Sequence, residues 1–491
     1  MTDLARRPLM AGAWRWSLLP LFPLGWAVTC RHFGNFPLEY TLLNALSFIA
    51  CAWFLASLRG SVRTNLAAWA ICAVLLVNYY IKFYLIVIDP ELLMTVGSLG
   101  GLVYTYPPSE DTLLAAYIAI VSGFVAFSMA CSVLHLTTGG QRSRTEVSGP
   151  VGPGLEQLLM VLTLFAAALI VLRAFVTYRF GVMINSDEVM LPYHLMAIYE
   201  FVGGGAAFLV PLVIIDFGRT LRWQFAGFTL LLGRAGVDML LLTTKGSLGY
   251  VAVALAALWL IKTGSITRKQ VSVLAACLAL MAVLYPMMIV FRSMRLGNSS
   301  MSLSAALEMA EYAATTDVSG PAGKSAAETI LGRLVGADAL VAMVDHDVRP
   351  LGSNVVDLWI KERDDIIDYV TDDIFQYRVK LMPSLLGEFY VIGGNIGVVA
   401  GMALFTIWAL GTWRWLLRQR YRTAHAMQAV FILYVFGWAI EGGVDYRISR
   451  TFPLMVVAAV LVEGLVRRWP AWIVARAPLQ QEMVPDTTSG L

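Results

Sequence analysis

From end to end the chain alternates between apolar stretches of membrane length and short polar connectors, and that alternation leaves few folds open. Stretches near the roughly twenty residues that a helix needs to cross a bilayer occupy Trp16 to Cys30, Tyr40 to Leu58, Leu66 to Ile88, Thr112 to Leu136, Leu158 to Val176 and Leu195 to Phe217. Six more follow at Phe225 to Leu242, Leu248 to Ile261, Val271 to Phe291, Tyr390 to Trp413, Met427 to Ile440 and Thr451 to Val466. In hydrocarbon a segment has to satisfy its own backbone N–H and C=O groups, so each stretch is expected to be a helix. A mean hydropathy of +0.70, with 58% hydrophobic and 14% charged residues, excludes an ordinary soluble domain. The expectation is an all-α polytopic membrane protein with about 12 transmembrane helices.

The charges of the connectors orient those helices. Alternate connectors carry Arg6/Arg7/Arg15, Arg59/Arg63, Arg142/Arg144, Arg219/Arg222, Lys262/Arg268/Lys269, Arg414/Arg418/Arg420/Arg422 and Arg467/Arg468. The intervening ones are mixed or acidic: Asp89/Glu91, Glu110/Asp111 and Arg179/Asp187/Glu188. By the positive-inside rule both termini are cytoplasmic. The net charge of +3 implies no nucleic-acid partner. Five cysteines (Cys30, Cys51, Cys72, Cys131, Cys277) lie singly in apolar segments without metal spacing, so they read as small core residues.

The rule also places outside the one long polar insertion, which begins after Phe291 and holds fourteen acidic against nine basic residues. The expected organisation is 1–291 with helices 1–9 and a cytoplasmic loop at 137–156, a large helical extracytoplasmic loop at 292–382, and 383–491 with helices 10–12 and a cytoplasmic tail. Within the insertion, Ser325-Ala326-Ala327-Glu328 forms a capping box ahead of Ile330, Leu331, Leu334, Ala337 and Val341. That spacing predicts an amphipathic helix lying on the outer face. Ile366, Ile367, Val370 and Ile374, interleaved with aspartates, predict a second helix with a solvated acidic face. Ser319 to Ser325 ends like a phosphate loop but lacks its first glycine, where Val318 stands, and a preceding strand. Asp345-His346-Asp347 has the look of a metal-ligand set, but three polar residues in a loop are commonplace.

Charges inside apolar stretches cost about 2.5 to 3.5 kcal/mol each on insertion scales and call for partners. Arg234 and Asp238 stand four apart on one helix and can neutralise each other; Lys82 can reach toward Asp89 or Glu91; Glu441 gathers with Asp445, Arg447 and Arg450. Basic residues outside run against the insertion bias and suit an anionic ligand. They include Lys245, Arg292, Arg295, Arg333, Arg378, Lys380, Arg447 and Arg450. A guanidinium fork binds phosphate bidentately, which a lipid diphosphate at the interface would use.

At the end of the insertion, Met382-Pro383-Ser384-Leu385-Leu386-Gly387-Glu388-Phe389-Tyr390 is followed by Gly393-Gly394-Asn395-Ile396-Gly397 and Gly401. This resembles the P-x-x-x-G-E-x-Y, G-x-x-G pattern that closes the large outer loop of O-antigen and related oligosaccharide repeat-unit polymerases. The placement of Lys245-Gly246-Ser247 and Arg292 is similar. The Pro-Arg and Lys-Pro pairs that precede Gly-Glu in many members are absent.

The resemblance implies a C-type, metal-independent glycosyltransferase of the bacterial inner membrane, needing no cofactor. Its substrate would be a polyprenyl-diphosphate-linked oligosaccharide, and its partners membrane lipid, a chain-length regulator and a flippase. Arg292, Arg333 and Arg447, with Arg295, Lys245 and Arg450 in reserve, are then expected to hold the diphosphate. Glu388, Asp338 and His346, in that order, are the candidate bases. An O-antigen ligase shares the donor and differs in the acceptor. A lipid-linked oligosaccharide flippase would bury its charges centrally and need no large outer domain, and a non-enzymatic scaffold would tolerate loss of the outer arginines.

Overall fold

The computed structural model describes residues 14–34, 37–58, 61–89, 108–137, 154–180, 199, 205–241, 247–281, 335–345, 384–419, 421–441 and 452–476, and among them it is all-helical with no strand. After a 3-10 turn at Trp14–Leu18 the helices are α1 Leu21–Phe33, α2 Leu38–Ser57, α3 Leu66–Ile88, α4 Glu110–Thr137 and α5 Leu155–Phe180. They continue as α6 Ala207–Phe217, α7 Leu221–Leu240, α8 Ser247–Thr263, α9 over 268–281 and α10 Val335–Asp345. Last come α11 Leu385–Arg418, α12 Ala424–Glu441 and α13 Phe452–Arg476. Every apolar stretch of the sequence carries a helix. Five of them, α2, α3, α4, α5 and α11, are long and apolar enough to cross a membrane.

The helices form one bundle with two chemically distinct ends. At one end Trp413 Nε1 donates to the Thr64 carbonyl at 3.0 Å, and Arg414 donates to that of Leu134 at 3.0 Å. There too Glu463 accepts from the N–H groups of Arg422 and Thr423, each at 3.0 Å, and from the Thr423 hydroxyl at 2.7 Å, so it satisfies the open N-terminus of α12. Asp216 takes Lys262 at 3.2 Å and His425 at 3.3 Å at this same end. The opposite end is closed by α10.

Two departures from regular helix shape that opposite end. Residues Leu75–Ile81 of α3 form a π-helical segment, a geometry that widens the turn and often marks functional positions. The segment carries Asn78, Tyr79 and Tyr80, and Lys82 follows it. α11 is broken at Gly393 and Gly394, where φ/ψ are −155°/25° and 59°/−145°. The second pair is open only to glycine. Across the break the chain doubles back, so that the Phe389 carbonyl lies against Gly397 and the Phe389 ring against Gly401, in space that a β-carbon would fill.

The insertion helix does not lie on a face of the molecule. α10 is sunk between α3, α4, α11 and α12, with Ala337, Leu340, Val341, Ala342 and Met343 all at or below 1% exposure. The reason is in its own sequence: Ala339 to Val344 brings apolar residues to every side, and a helix that is apolar all round is buried. Of its two carboxylates, Asp338 is met by Lys82 and Asp345 closes the helix. The predicted helix around Ile366 lies outside the described residues.

Candidate functional site

The site is built where the π-segment of α3, the start of α10 and the short first half of α11 meet. Asn78 Oδ1 accepts from the Gly336 N–H at 3.1 Å, and its Nδ2 donates to the Ile440 carbonyl at 3.4 Å, joining α10 to α12 through α3. The Ser384 hydroxyl donates to the Gly336 carbonyl at 3.3 Å, and the Leu386 N–H donates to the Tyr79 hydroxyl at 3.0 Å. At the far end of α10, Thr112 Oγ1 donates to Asp345 Oδ1 at 3.1 Å. Both ends of α10 are therefore stapled.

Ser384 sits at φ 62°, ψ 164°, a conformation costing on the order of 1–3 kcal/mol for a residue with a β-carbon. It is held there by its bond to Gly336 and by its carbonyl, which accepts from the Glu388 N–H at 2.9 Å. The strained residue thus starts the half-helix that carries Glu388. Gly387 lets that half-helix approach α10 closely, since a β-carbon would stand 3.0 Å from the Met343 sulfur. Glu388 is buried at 2% exposure.

Two candidate acids are thereby brought to one region and given different settings. Asp338 lies 3.2 Å from Lys82 Nζ with both side chains fully buried. Burial pushes its carboxyl up to about 7, against the pull of the Lys82 ammonium. Asp338 faces a lysine in a closed interior, an arrangement that fastens α10. Lys82, expected to turn toward Asp89 or Glu91, goes to Asp338 because α10 fills the space beside it. His346, Lys245, Arg292, Arg295, Arg333, Arg447 and Arg450 lie outside the described residues.

A second polar cluster lies in the same half of the bundle. The expected pair of Arg234 and Asp238 is present on α7 at 3.2 Å, and Arg173 of α5 joins it with Nε 2.8 Å from Asp238 Oδ1. Arg173 lies over the Tyr199 ring at 4.7 Å and Arg234 over that of Phe208 at 3.5 Å. The Tyr199 hydroxyl is 2.8 Å from Thr177 Oγ1. Sequence reasoning passed over Arg173, although a lone arginine within an otherwise apolar stretch was its signal.

No protein-family model, no curated protein and no solved structure matches this chain, so function has to be read from its own residues.

Proposed function

We propose that the chain joins polyprenyl-diphosphate-linked oligosaccharide repeat units into a bacterial surface polysaccharide at the outer face of the cytoplasmic membrane. In this reading it crosses the membrane twelve times with both termini inside, and the 292–382 insertion stands outside on a C-type scaffold. The observation that carries the reading is the form taken by the Gly-Glu motif. Gly387 and Glu388 occupy a half-helix whose end is a glycine break and whose partner is the insertion helix α10. Interrupted helices with buried carboxylates are how membrane proteins build polar sites at the depth of a lipid head group.

The chemistry is a displacement at the donor's anomeric carbon. The acceptor sugar hydroxyl forms the new C–O bond as the bond to the diphosphate breaks, and the diphosphate leaves with the electron pair. Glu388 takes the hydroxyl proton, and basic side chains stabilise the charge growing on the leaving group. Arg292, Arg333 and Arg447 are the residues proposed for that charge, with Arg295, Lys245 and Arg450 beside them. Asp338, through its contact with Lys82, fastens α10, against which the half-helix packs.

Purified protein incubated with a lipid-diphosphate repeat unit tests the reading. Ladder formation that falls at least a hundredfold in Glu388→Gln at unchanged donor binding supports it. Transfer only to a different glycolipid acceptor makes the chain a ligase. Transbilayer movement of the donor without any bond formation removes the enzymatic reading altogether.

A further inference from the structure

α13 meets its neighbours at two levels and leaves a groove between them. At one level the Phe452 ring stands 5.3 Å from that of Trp408 on α11 and 6.4 Å from that of Phe431 on α12. At the other, eleven residues on, Glu463 takes the start of α12. Rings at one level and a carboxylate at the other space the helices, and Val456, Ala459 and Val460 between them are too short to close the gap. The groove has its floor at Val430, Met455 and Ala459, all buried, and its rim at Trp415 and Val460, which are 45% and 62% exposed.

The depth and lining of the groove describe an occupant. Apart from Thr412, Trp415 and Tyr421, the lining is hydrocarbon and thioether. One wall, α11, is long and apolar enough to cross a membrane, so the groove along its flank opens to lipid and takes up an apolar chain rather than water. From Phe452 to Glu463 the helix rises about 16 Å at 1.5 Å per residue, close to half of a hydrocarbon core roughly 30 Å thick. A chain lying there belongs to one leaflet, the one at the Glu463 end.

That end carries basic residues. Tyr421 lines the groove, and Arg467 lies over its ring at 5.7 Å while tied to Glu463 at 2.6 Å, so the guanidinium is fixed beside the groove's end. Arg422 adjoins Tyr421 in the chain, Arg468 adjoins Arg467, and α11 ends on Arg418. The summed field of such a cluster draws anionic lipid head groups whether or not each arginine also has a protein partner.

We propose that this groove seats an acyl chain of an anionic phospholipid, with the head-group phosphodiester against Arg422, Arg467 and Arg468. Phosphatidylglycerol brings a single negative charge, whereas the phosphatidylcholine head group adds an ammonium that the arginines repel. The site therefore selects by head group as well as by chain, and the seated lipid fills the space between α11, α12 and α13. The glycan chemistry proposed above belongs to the opposite end of the bundle, so this lipid is not its substrate and the site does not rest on that reading.

Native mass spectrometry of the purified full-length protein, exchanged into detergent with equimolar phosphatidylglycerol and phosphatidylcholine of identical chains, tests the proposal. Wild-type protein is expected to retain phosphatidylglycerol about tenfold or more over phosphatidylcholine, and Arg422→Gln and Arg468→Gln should each lower that preference roughly three- to fivefold. Val460→Trp fills the groove at its rim and should cut phosphatidylglycerol retention about tenfold. Val457→Trp, at a position of α13 that is 49% exposed and outside the groove, should leave retention unchanged. Both valines are exposed, so neither change disturbs the packed interior. Equal retention of the two lipids by the wild type overturns the proposal, as does a preference that survives both arginine changes. Equal retention in the two tryptophan variants overturns it too, because the arginines would then recruit lipid without the groove.

Discussion

The buried pair of Lys82 and Asp338 makes a quantitative claim about how α10 is held. At 3.2 Å, with both side chains fully buried, removing one member leaves a charge in an apolar interior, which costs about 3–5 kcal/mol, whereas removing both is close to neutral. The two single variants should not be equal. In Lys82→Met the remaining Asp338 can take up a proton, since burial already pushes it up to about 7 with the lysine present, so the cost is small at pH 6 and grows toward pH 8. In Asp338→Asn the lysine loses the carboxylate that it faces, and no carboxyl remains to take up a proton, so the loss should not show that rise with pH. Lys82→Met/Asp338→Leu should recover most of the loss, a coupling of about 3 kcal/mol or more, equivalent to over a hundredfold in the open fraction of α10. The assay is thiol labelling of an Ala337→Cys probe, fully buried on α10, after replacement of the five native cysteines and corrected against an exposed cysteine at each pH. The wild-type pH profile has a definite sign. A carboxyl raised above its ordinary value favours the docked state fully below about 4, and that contribution is lost as pH rises through about 7. Labelling of the probe should therefore quicken from pH 5 to pH 8, and Asp338→Asn should flatten that slope. Equal labelling in wild type and in both single variants would refute the idea that this pair fastens α10.

The doubling back of α11 predicts two alanine variants with different rescues: Gly401→Ala meets the Phe389 ring and should be relieved by Phe389→Ala, while Gly397→Ala meets the Phe389 carbonyl and should not. Each should cost about 1–3 kcal/mol in detergent melts, and rescue of both by the same ring deletion would show that the backbone contact is absent. Glu463→Gln weakens the acceptor for the start of α12 and should lower stability by about 1–2 kcal/mol, with loss of hydrogen-exchange protection at Thr423 rather than throughout the bundle. For the proposed orientation, Ser353→Cys in intact cells should react with a membrane-impermeant maleimide. Reaction only after permeabilisation would invert the map.

Helix positions were legible because lipid-length apolar runs have one structural solution, and α2, α3, α4 and α5 follow their runs closely. The setting of α10 was not, because an apolar stripe from Ile330 to Val341 was read without the residues beyond it that close the polar side. The break in α11 escaped for a related reason. Glycines at 393, 394, 397 and 401 are permissive in many ways, and only the position of Phe389 across the break shows which of them turn the chain and which admit the ring. Asp338 and Glu388 are candidates by chemistry alone, and spacing along the chain does not show that Asp338 meets a lysine more than two hundred and fifty positions away. The partner of Arg173 is not legible along the chain, because Asp238 lies on another helix sixty-five positions away.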